Sequence, residues 1–468
     1  MIPSWHTIAD RDYRRWRLLA ISALLVLSPT LATADSIDDS IVALMAWERI
    51  PGLSLAVIRN GSLVKAKGYG MANLETSTPA TPETVYRIAS VSKQFIAAAV
   101  MVLVQDGKLQ LNDPIRRYLD GTPASWEGIT VAQLLSHTSG IARDLPGFDP
   151  LKVQPDSEFL RASFALPLRF KPGEHWAYSN INYYCLAEII RKVTGRPWDQ
   201  YVADRIFAPA GMTRTRTTTV ENIVPNRANG YSSGDSGFTN AEVWLALRPS
   251  GAFLSTVLDF AKWDAALYSD SILKDSSKAA MWSPVTLNDG STHPYGFGWF
   301  IDQRPGHRRL HHGGGVPGFV CEFDRFIDDR ITVVIMANIG GRVLEDTAIA
   351  VAGDFVPALK ALPIPAIDDP DPTLAAQIKD IVENLAQHRI GNGPFTTSLE
   401  AELNGELEKD AFKSLASFGP ILDVRLIERK ADGSGWATSY KVDYRNIELF
   451  VDCSRDRTGR IGKFGLHD

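Results

Sequence analysis

Residues 94–105 read QFIAAAVMVLVQ and run into Asp106-Gly107. A helix through this stretch has no polar face, so the rest of the chain must cover it on every side. It is too short to cross a bilayer, which takes about 20 apolar residues. The chain must therefore build a core that encloses a helix. Its 468 residues, 45% apolar and 22% charged, are those of an ordinary globular protein able to do so, with two or three domains expected. Asp106-Gly107 supplies the C-cap. The head of the helix is the difficulty, because Lys93 and Gln94 stand where burial is expected. Ser90 lies three residues before Lys93, on the same helical face. A buried ammonium needs partners or a lowered pKa. Two readings fit: a helix end reaching water, or a serine nucleophile beside its activating lysine, at a helix N-terminus that favours developing negative charge.

Strand and helix patterns divide the chain. LSLAVIRNGSLVKAKGYG is two strand-like runs around Asn60-Gly61, a two-residue hairpin signal, and VYRIA is another short strand before Ser90. From about 94 to 265 the pattern is mainly helical; Thr256 with Asp259 resembles a capping box. Strands return in YGFGWFI, GFVCEFDRFI and the wholly apolar ITVVIMANI, and LEDTAIAVAGDFVPALK reads as a helix. Strands at both ends with helices between them predict an α+β fold: an antiparallel sheet built from the two ends, flanked by helices, with a mostly helical inserted lobe. A cleft between the lobes is the natural place for a site. Residues 361–373, with four prolines, read as a stiff linker, and 374–468 as a small α+β accessory domain of two helical stretches and four strands.

Ser-x-x-Lys is a weak signal alone, occurring also at Ser62/Lys65 and Ser271/Lys274. Ser62 falls in a strand, where residues three apart face opposite ways, and Ser271 in a polar loop. Two further stretches join Ser90 and Lys93. HWAYSNINYYCL holds Tyr178-Ser179-Asn180 ahead of a second apolar helix, although Tyr-x-Asn recurs at Tyr444/Asn446. RLHHGGGVPGF sets His311 and His312 before three glycines that let another backbone or a ligand approach. Singly, Tyr178 reads as a core tyrosine and His312 as a strand-end histidine.

Together and in this order, SVSK, YSN and HGG resemble the motif set of the serine β-lactamase and penicillin-binding-protein superfamily, within it the class C β-lactamase-related hydrolases. That group includes D-alanyl-D-alanine carboxypeptidases, D-aminopeptidases and esterases. ITVAQLLSHTSGI, PSGAFLSTVLDFAKW, YGFGWF and GGGVPGF add to the likeness, which covers roughly residues 38–358. The resemblance implies Ser90 as the nucleophile that forms an acyl-enzyme and Lys93 as its activator. It implies Tyr178 as a general base and acid favoured towards tyrosinate by Lys93, and Asn180 as a donor to Lys93 or the substrate. It further implies an oxyanion hole from the backbone N–H groups of Ser90 and Gly315, substrate contacts at His312 and Gly314, and no metal or organic cofactor. Many β-lactamases and carboxypeptidases carry lysine where this chain has His312, which is only weakly cationic at pH 7. That shifts weight from β-lactam or D-Ala-D-Ala turnover towards an esterase, amidase or aminopeptidase. His311 is the alternative for the same role. A non-catalytic wall-fragment binding protein on the same scaffold is the remaining alternative. The last hundred residues resemble the cystatin-like or NTF2-like domains appended to such hydrolases.

The N-terminus carries Arg11, Arg14, Arg15 and Arg17 against two aspartates, then a short apolar run ending in Ala32-Thr33-Ala34. This is the pattern of a secretory signal over residues 1–34, cleaved before Asp35, with a twin-arginine signal or an uncleaved anchor as alternatives. It implies a periplasmic or secreted protein. The body is more acidic than the whole chain's −5 and has no basic cluster, which argues against nucleic acid as a partner. A small ester, amide or peptide is the expected partner. The three cysteines, 185, 321 and 453, suit neither a disulfide framework nor a zinc site and are expected to be buried.

Overall fold

The computed structural model describes residues 28–467, apart from 148, 150–154, 218–221, 235–236, 244–248, 305, 360–365, 392, 409–411, 433–434, 445–447 and 457. Most of the expected signal segment and residues 361–365 of the expected linker thus lie outside the described residues. The first element is helix α1 (Ser28–Trp47), which runs through the expected cleavage point before Asp35.

Strands β1 (Gly52–Arg59) and β2 (Ser62–Asn73) form the hairpin expected around Asn60-Gly61. Both turn residues have left-handed φ, 53° and 77°, as a tight two-residue turn requires. With β3 (Thr78–Pro79) they make one end of a sheet. The other end is β6 (Phe300–Arg304), β7 (His307–Val316), β8 (Phe319–Phe326) and β9 (Ile331–Ala337). The order is β6-β7-β8-β9-β1-β2-β3, so the two ends of the expected hydrolase domain meet at β1 and β9, antiparallel from Leu53↔Ala337 to Arg59↔Ile331. Strands β4 (Tyr86–Arg87) and β5 (Leu254–Ser255) pair separately.

Alternation along the strands sorts the core into two layers. Leu53, Leu55, Val57, Val333 and Ile335 pack behind the sheet with Ile37 and Ile41 of α1 and with Ala348, Ile349 and Ala352 of a later helix, α6 (Glu345–Phe355). Ala56, Ile58, Val334 and Met336 pack in front, in the cluster that holds α2 (Lys93–Gln105). Every residue of α2 from Lys93 to Leu103 is buried. Phe95 sits in an aromatic nest, its ring 5.1 Å from Phe207 and from Trp263. Fully burying each such large side chain stabilises the fold by about 1.5–3 kcal/mol. Gln94 is not a solvated helix end either, since its Oε1 accepts from the Trp263 indole at 3.3 Å.

The front lobe adds α3 (Val131–Leu135), α4 (Asn180–Thr194) and α5 (Val257–Leu267). The expected capping box at Thr256 is half present. The Asp259 N–H donates to Thr256, but the Asp259 carboxylate takes Arg214 N–H and Thr215 Oγ1–H instead of reaching back. A complete box stands at Thr130/Gln133, at the head of α3.

Helices α7 (Pro372–Ala386) and α8 (Thr397–Glu408) precede a four-stranded antiparallel meander, β10 (Asp423–Asp432), β11 (Gly435–Asp443), β12 (Glu448–Arg455) and β13 (Ile461–His467). Helix α7 starts inside the expected linker, with proline where its missing N–H costs nothing. The residues just before it are tied to the meander: Ile367 N–H donates to Leu426 O, and Asp369 accepts from the Tyr440 hydroxyl. All three cysteines are free and buried.

Candidate active site

Strand β4 delivers the chain into a 3-10 turn, Ala89–Ser92, which continues into α2. Ala89 has φ 46°, a left-handed conformation that a non-glycine residue holds only under compulsion from its surroundings. Strand β7 supplies the constraint, because a Cβ on Gly314 would lie 2.4 Å from Ile88 O and 2.9 Å from Ser90 N. On the other side Ile88 N–H donates to Phe253 O and Phe253 N–H to Ser92 Oγ. Ser90 is thus pinned, half-buried, between β7 and the 250–253 loop.

Lys93 is fully buried, and its Nζ has three neighbours: Ser90 Oγ at 3.1 Å, Asn180 Oδ1 at 2.9 Å and Ser250 O at 2.9 Å. It also lies 4.7 Å from the centre of the Tyr178 ring. Asn180 Nδ2 donates to Asp144 Oδ1 at 2.9 Å, and since a carboxylate only accepts, this fixes the amide oxygen towards Lys93. Burial pulls the Lys93 pKa well below the ordinary lysine value, partly countered by Asp144. The two carbonyl oxygens occupy two amine hydrogens, and the lone pair of a neutral amine is then left facing Ser90 Oγ.

Tyr178, in the extended segment before α4, interacts through its hydroxyl with Ser90, but burial raises its pKa above the usual phenol value. This direction runs against the expectation of a tyrosinate-like Tyr178. Loss of hydration outweighs the Ser90 hydrogen bond and the Arg143 charge, which favours the protonated phenol. His137, itself at φ 61°, backs this ring at 4.4 Å and accepts the Ser179 N–H through Nδ1.

His312 faces the same cluster, its ring 6.2 Å from that of Tyr178. It is 1% exposed, its Nδ1 donates to Gly313 O at 2.6 Å and its Nε2 accepts from the Tyr295 hydroxyl at 3.1 Å. Burial and Lys93 lower its pKa to about 3. The expected weakly cationic substrate contact is thus a neutral histidine with both nitrogens engaged inside the protein. His311, the alternative, points to the opposite face of β7, towards Asp302, Glu322 and Asp324. Arg143 is an exposed cation at this place, its guanidinium 5.6 Å from the Tyr178 ring centre. Gly315 follows Gly314 on β7, opposite Val320.

The other Ser-x-x-Lys pairs lead elsewhere: Lys65 pairs with Asp38, and Ser271 bonds to Ser269. Tyr444 belongs to the C-terminal core, and Asn446 lies outside the described residues. Asp144, Ser250, His137 and Tyr295 were not picked out from sequence. Ser250 acts through a backbone carbonyl, which leaves no residue signature, and Asp144 sits in a polar loop of ordinary composition.

Comparison with known proteins extends this geometry. The family model described as Beta-lactamase matches residues 37–354. The chain is 32% identical over 309 residues to a penicillin-binding protein of Bacillus subtilis (strain 168), covering 60% of this chain and 68% of the relative. It is 29% identical over 374 residues to the D-aminopeptidase of Brucella ovis, covering 75% and 70%. Among solved structures, the D-amino acid amidase from Ochrobactrum anthropi SV3 superposes with a TM-score of 0.61 at 25% identity, over 70% of this chain and 99% of that one. The octameric penicillin-binding protein homologue from Pyrococcus abyssi gives 0.66 at 23% identity over 92% and 95%, so the likeness of fold extends through the C-terminal region. The family match takes in every side chain gathered around Lys93, and the chain belongs to the Beta-lactamase family and is a serine hydrolase.

Proposed function

We propose that this protein is exported and hydrolyses an amide or ester bond through an acyl-enzyme on Ser90, with residues 35–360 as the hydrolase domain and 374–468 as an accessory domain. The observation that carries the reading is the buried Lys93 amine, held by Asn180 and Ser250 with its remaining position on Ser90 Oγ at 3.1 Å. The amine takes the Ser90 proton as Oγ bonds to the substrate carbonyl carbon. The oxyanion is received by the N–H groups of Ser90 and Gly315, and such donors contribute about 3–4 kcal/mol each. The protonated Tyr178 gives its proton to the leaving amine or alkoxide and recovers one from Lys93. Water then enters, loses a proton to the same pair and releases the acid. Asn180 orients Lys93, and His312 holds Tyr295 and the β7 strand in place without meeting the substrate as a charge.

An amide of a D-amino acid or a short peptide is the favoured substrate, in keeping with the D-aminopeptidase and D-amino acid amidase relatives. Asp144, about half exposed beside Asn180, offers a carboxylate for a substrate ammonium group. The second reading, a β-lactamase or D-alanyl-D-alanine carboxypeptidase, draws on Arg143, a cation at the site that suits a substrate carboxylate. Export draws on the N-terminal pattern. Cleavage before Asp35 would spare Ile37, the first buried residue among those described, and no described helix is long and apolar enough to cross a membrane.

The test sets a D-alanyl anilide, a short p-nitrophenyl ester and a chromogenic cephalosporin before the parent and Ser90→Ala. Anilide and ester turnover abolished by the substitution is expected. Activity surviving in Ser90→Ala would remove the nucleophile assignment, and cephalosporin turnover exceeding that of the anilide would establish the second reading.

A further inference from the structure

Behind the strand that carries His312 lies a second group of ionisable side chains that the hydrolase chemistry does not use. His311 stands opposite Asp324 in the β7–β8 register, and Glu322 stands opposite Gly313, so all three share the rear face of the sheet. His311 Nδ1 is 3.7 Å from Glu322 Oε1 and 3.9 Å from Asp324 Oδ1. One donor atom from each of the three lies within 4.8 Å of the others. Glu322 is 4% exposed and Asp324 fully buried, and Glu322 Oε1 and Asp324 Oδ1 have no hydrogen-bond donor among the described residues. The Arg309 guanidinium is spent on other atoms, donating to Asp324 Oδ2, Asp302 Oδ2 and Glu345 Oε1. Four carboxylates thus surround one arginine, and two carboxylate oxygens converge on a histidine nitrogen.

We propose that His311, Glu322 and Asp324 form a binding site for a divalent transition-metal cation of the zinc class, on the face of the sheet opposite His312. One nitrogen and two carboxylate oxygens are a ligand set that zinc accepts, with metal–ligand distances of about 2.0–2.2 Å. Tetrahedral ligands at that distance are roughly 3.3–3.6 Å apart, so the histidine–carboxylate separations of 3.7 and 3.9 Å need to close by only a few tenths of an ångström. Two details favour a built site over a chance cluster. A Cβ at Gly313 would sit 2.7 Å from Glu322 Oε2, so the first glycine of HHGGG is what admits this carboxylate. On the far side of the ring, Asp302 Oδ1 stands 3.9 Å from His311 Nε2, the side from which a carboxylate orients a ligating imidazole once it closes to hydrogen-bond distance. Bound there, the cation would clamp β7 to β8, with β6 behind it through Asp302. It would stiffen the strand that presses Gly314 against Ser90.

The experiment uses the full chain, stripped with a chelator and dialysed against Zn2+ or Co2+. Bound metal is counted by elemental analysis, the Co2+ visible spectrum is recorded, and the thermal midpoint is read with and without Zn2+. The expected result is one equivalent per chain, a ligand-field band of low-symmetry Co2+ and a raised midpoint. Glu322→Gln, which keeps the shape, and His311→Gln should each lose that equivalent and the midpoint rise, with folding checked by circular dichroism. If His311→Gln does not fold, Glu322→Gln decides. Absence of stoichiometric uptake would overturn the proposal and leave Glu322 and Asp324 sharing a proton. Uptake unchanged in Glu322→Gln would overturn it as adventitious binding elsewhere.

Discussion

Burial takes from Lys93 the hydration that stabilises an ammonium ion, while Asn180, Ser250 and Ser90 still give its nitrogen three polar neighbours. The sign of the pH effect follows. An amine must be neutral to accept a proton, so low pH disables it, and kcat/KM rises as pH climbs through the depressed Lys93 pKa and then stays level. The rise should be centred well below the ordinary lysine value of about 10.4. His312, with its pKa near 3, should add no limb around pH 6–7. A pH–rate profile centred at the ordinary lysine value would contradict this assignment. Lys93→Arg, which replaces the amine with a group that stays protonated, should lose about 10^3-fold or more in kcat with folding retained. At this scale the gathering of Ser90, Lys93, Tyr178 and Asn180 in one place was legible, because the order of their motifs is distinctive. The protonation states of Tyr178 and His312 were not, since both are set by burial that no spacing encodes.

Strand β7 shows how one element serves two faces. His312 and Gly314 look forward to the site, while Arg309, His311 and Gly313 look back into the carboxylate group. The hairpin at Asn60-Gly61 and the enclosed α2 could be read directly from residue pattern, because each depends on local chemistry that the sequence displays. The 139–147 and 250–253 loops could not, because they contribute Asp144 and a Ser250 carbonyl through tertiary placement alone. The same limit explains Thr256, where Arg214 and Thr215 outcompete the local cap for the Asp259 carboxylate. Gly314 gives the prediction at this scale. Its virtual Cβ meets backbone atoms of Ile88 and Ser90, which have no flexible end to move aside. Gly314→Ala should therefore displace the nucleophile turn by a fraction of an ångström to an ångström. A shift of that size costs roughly 100-fold in rate. Single-turnover acylation by a p-nitrophenyl ester measures it, and near-parental acylation would mean that β7 does not set the position of Ser90.

Across the whole molecule, the sheet drawn from both ends of the expected hydrolase domain makes the hydrolase fold close on itself, and this much followed from where the strand patterns fell. The seating of the C-terminal region did not follow, because it depends on α1, a helix whose far end is recruited by another core. Ile37 and Ile41 of α1 belong to the layer behind the large sheet, whereas Ala43 joins the C-terminal core and Trp47 lies 5.8 Å from Phe418. One helix thus couples two hydrophobic cores, and its C-terminal turn carries the coupling. Trp47 is half-buried, so Trp47→Ala should cost about 1–3 kcal/mol, below the range for a wholly buried tryptophan. The loss should fall on the C-terminal region, splitting thermal unfolding into two transitions with the lower one shifted down by several degrees. Ester hydrolysis should stay within about two-fold of the parent, since an exposed-side contact so far along the chain touches none of the groups on Lys93 or Ser90. Scanning calorimetry with a parallel activity assay separates the outcomes. A single transition moved as a whole would mean that the two cores unfold as one unit, with contacts beyond α1 holding them together.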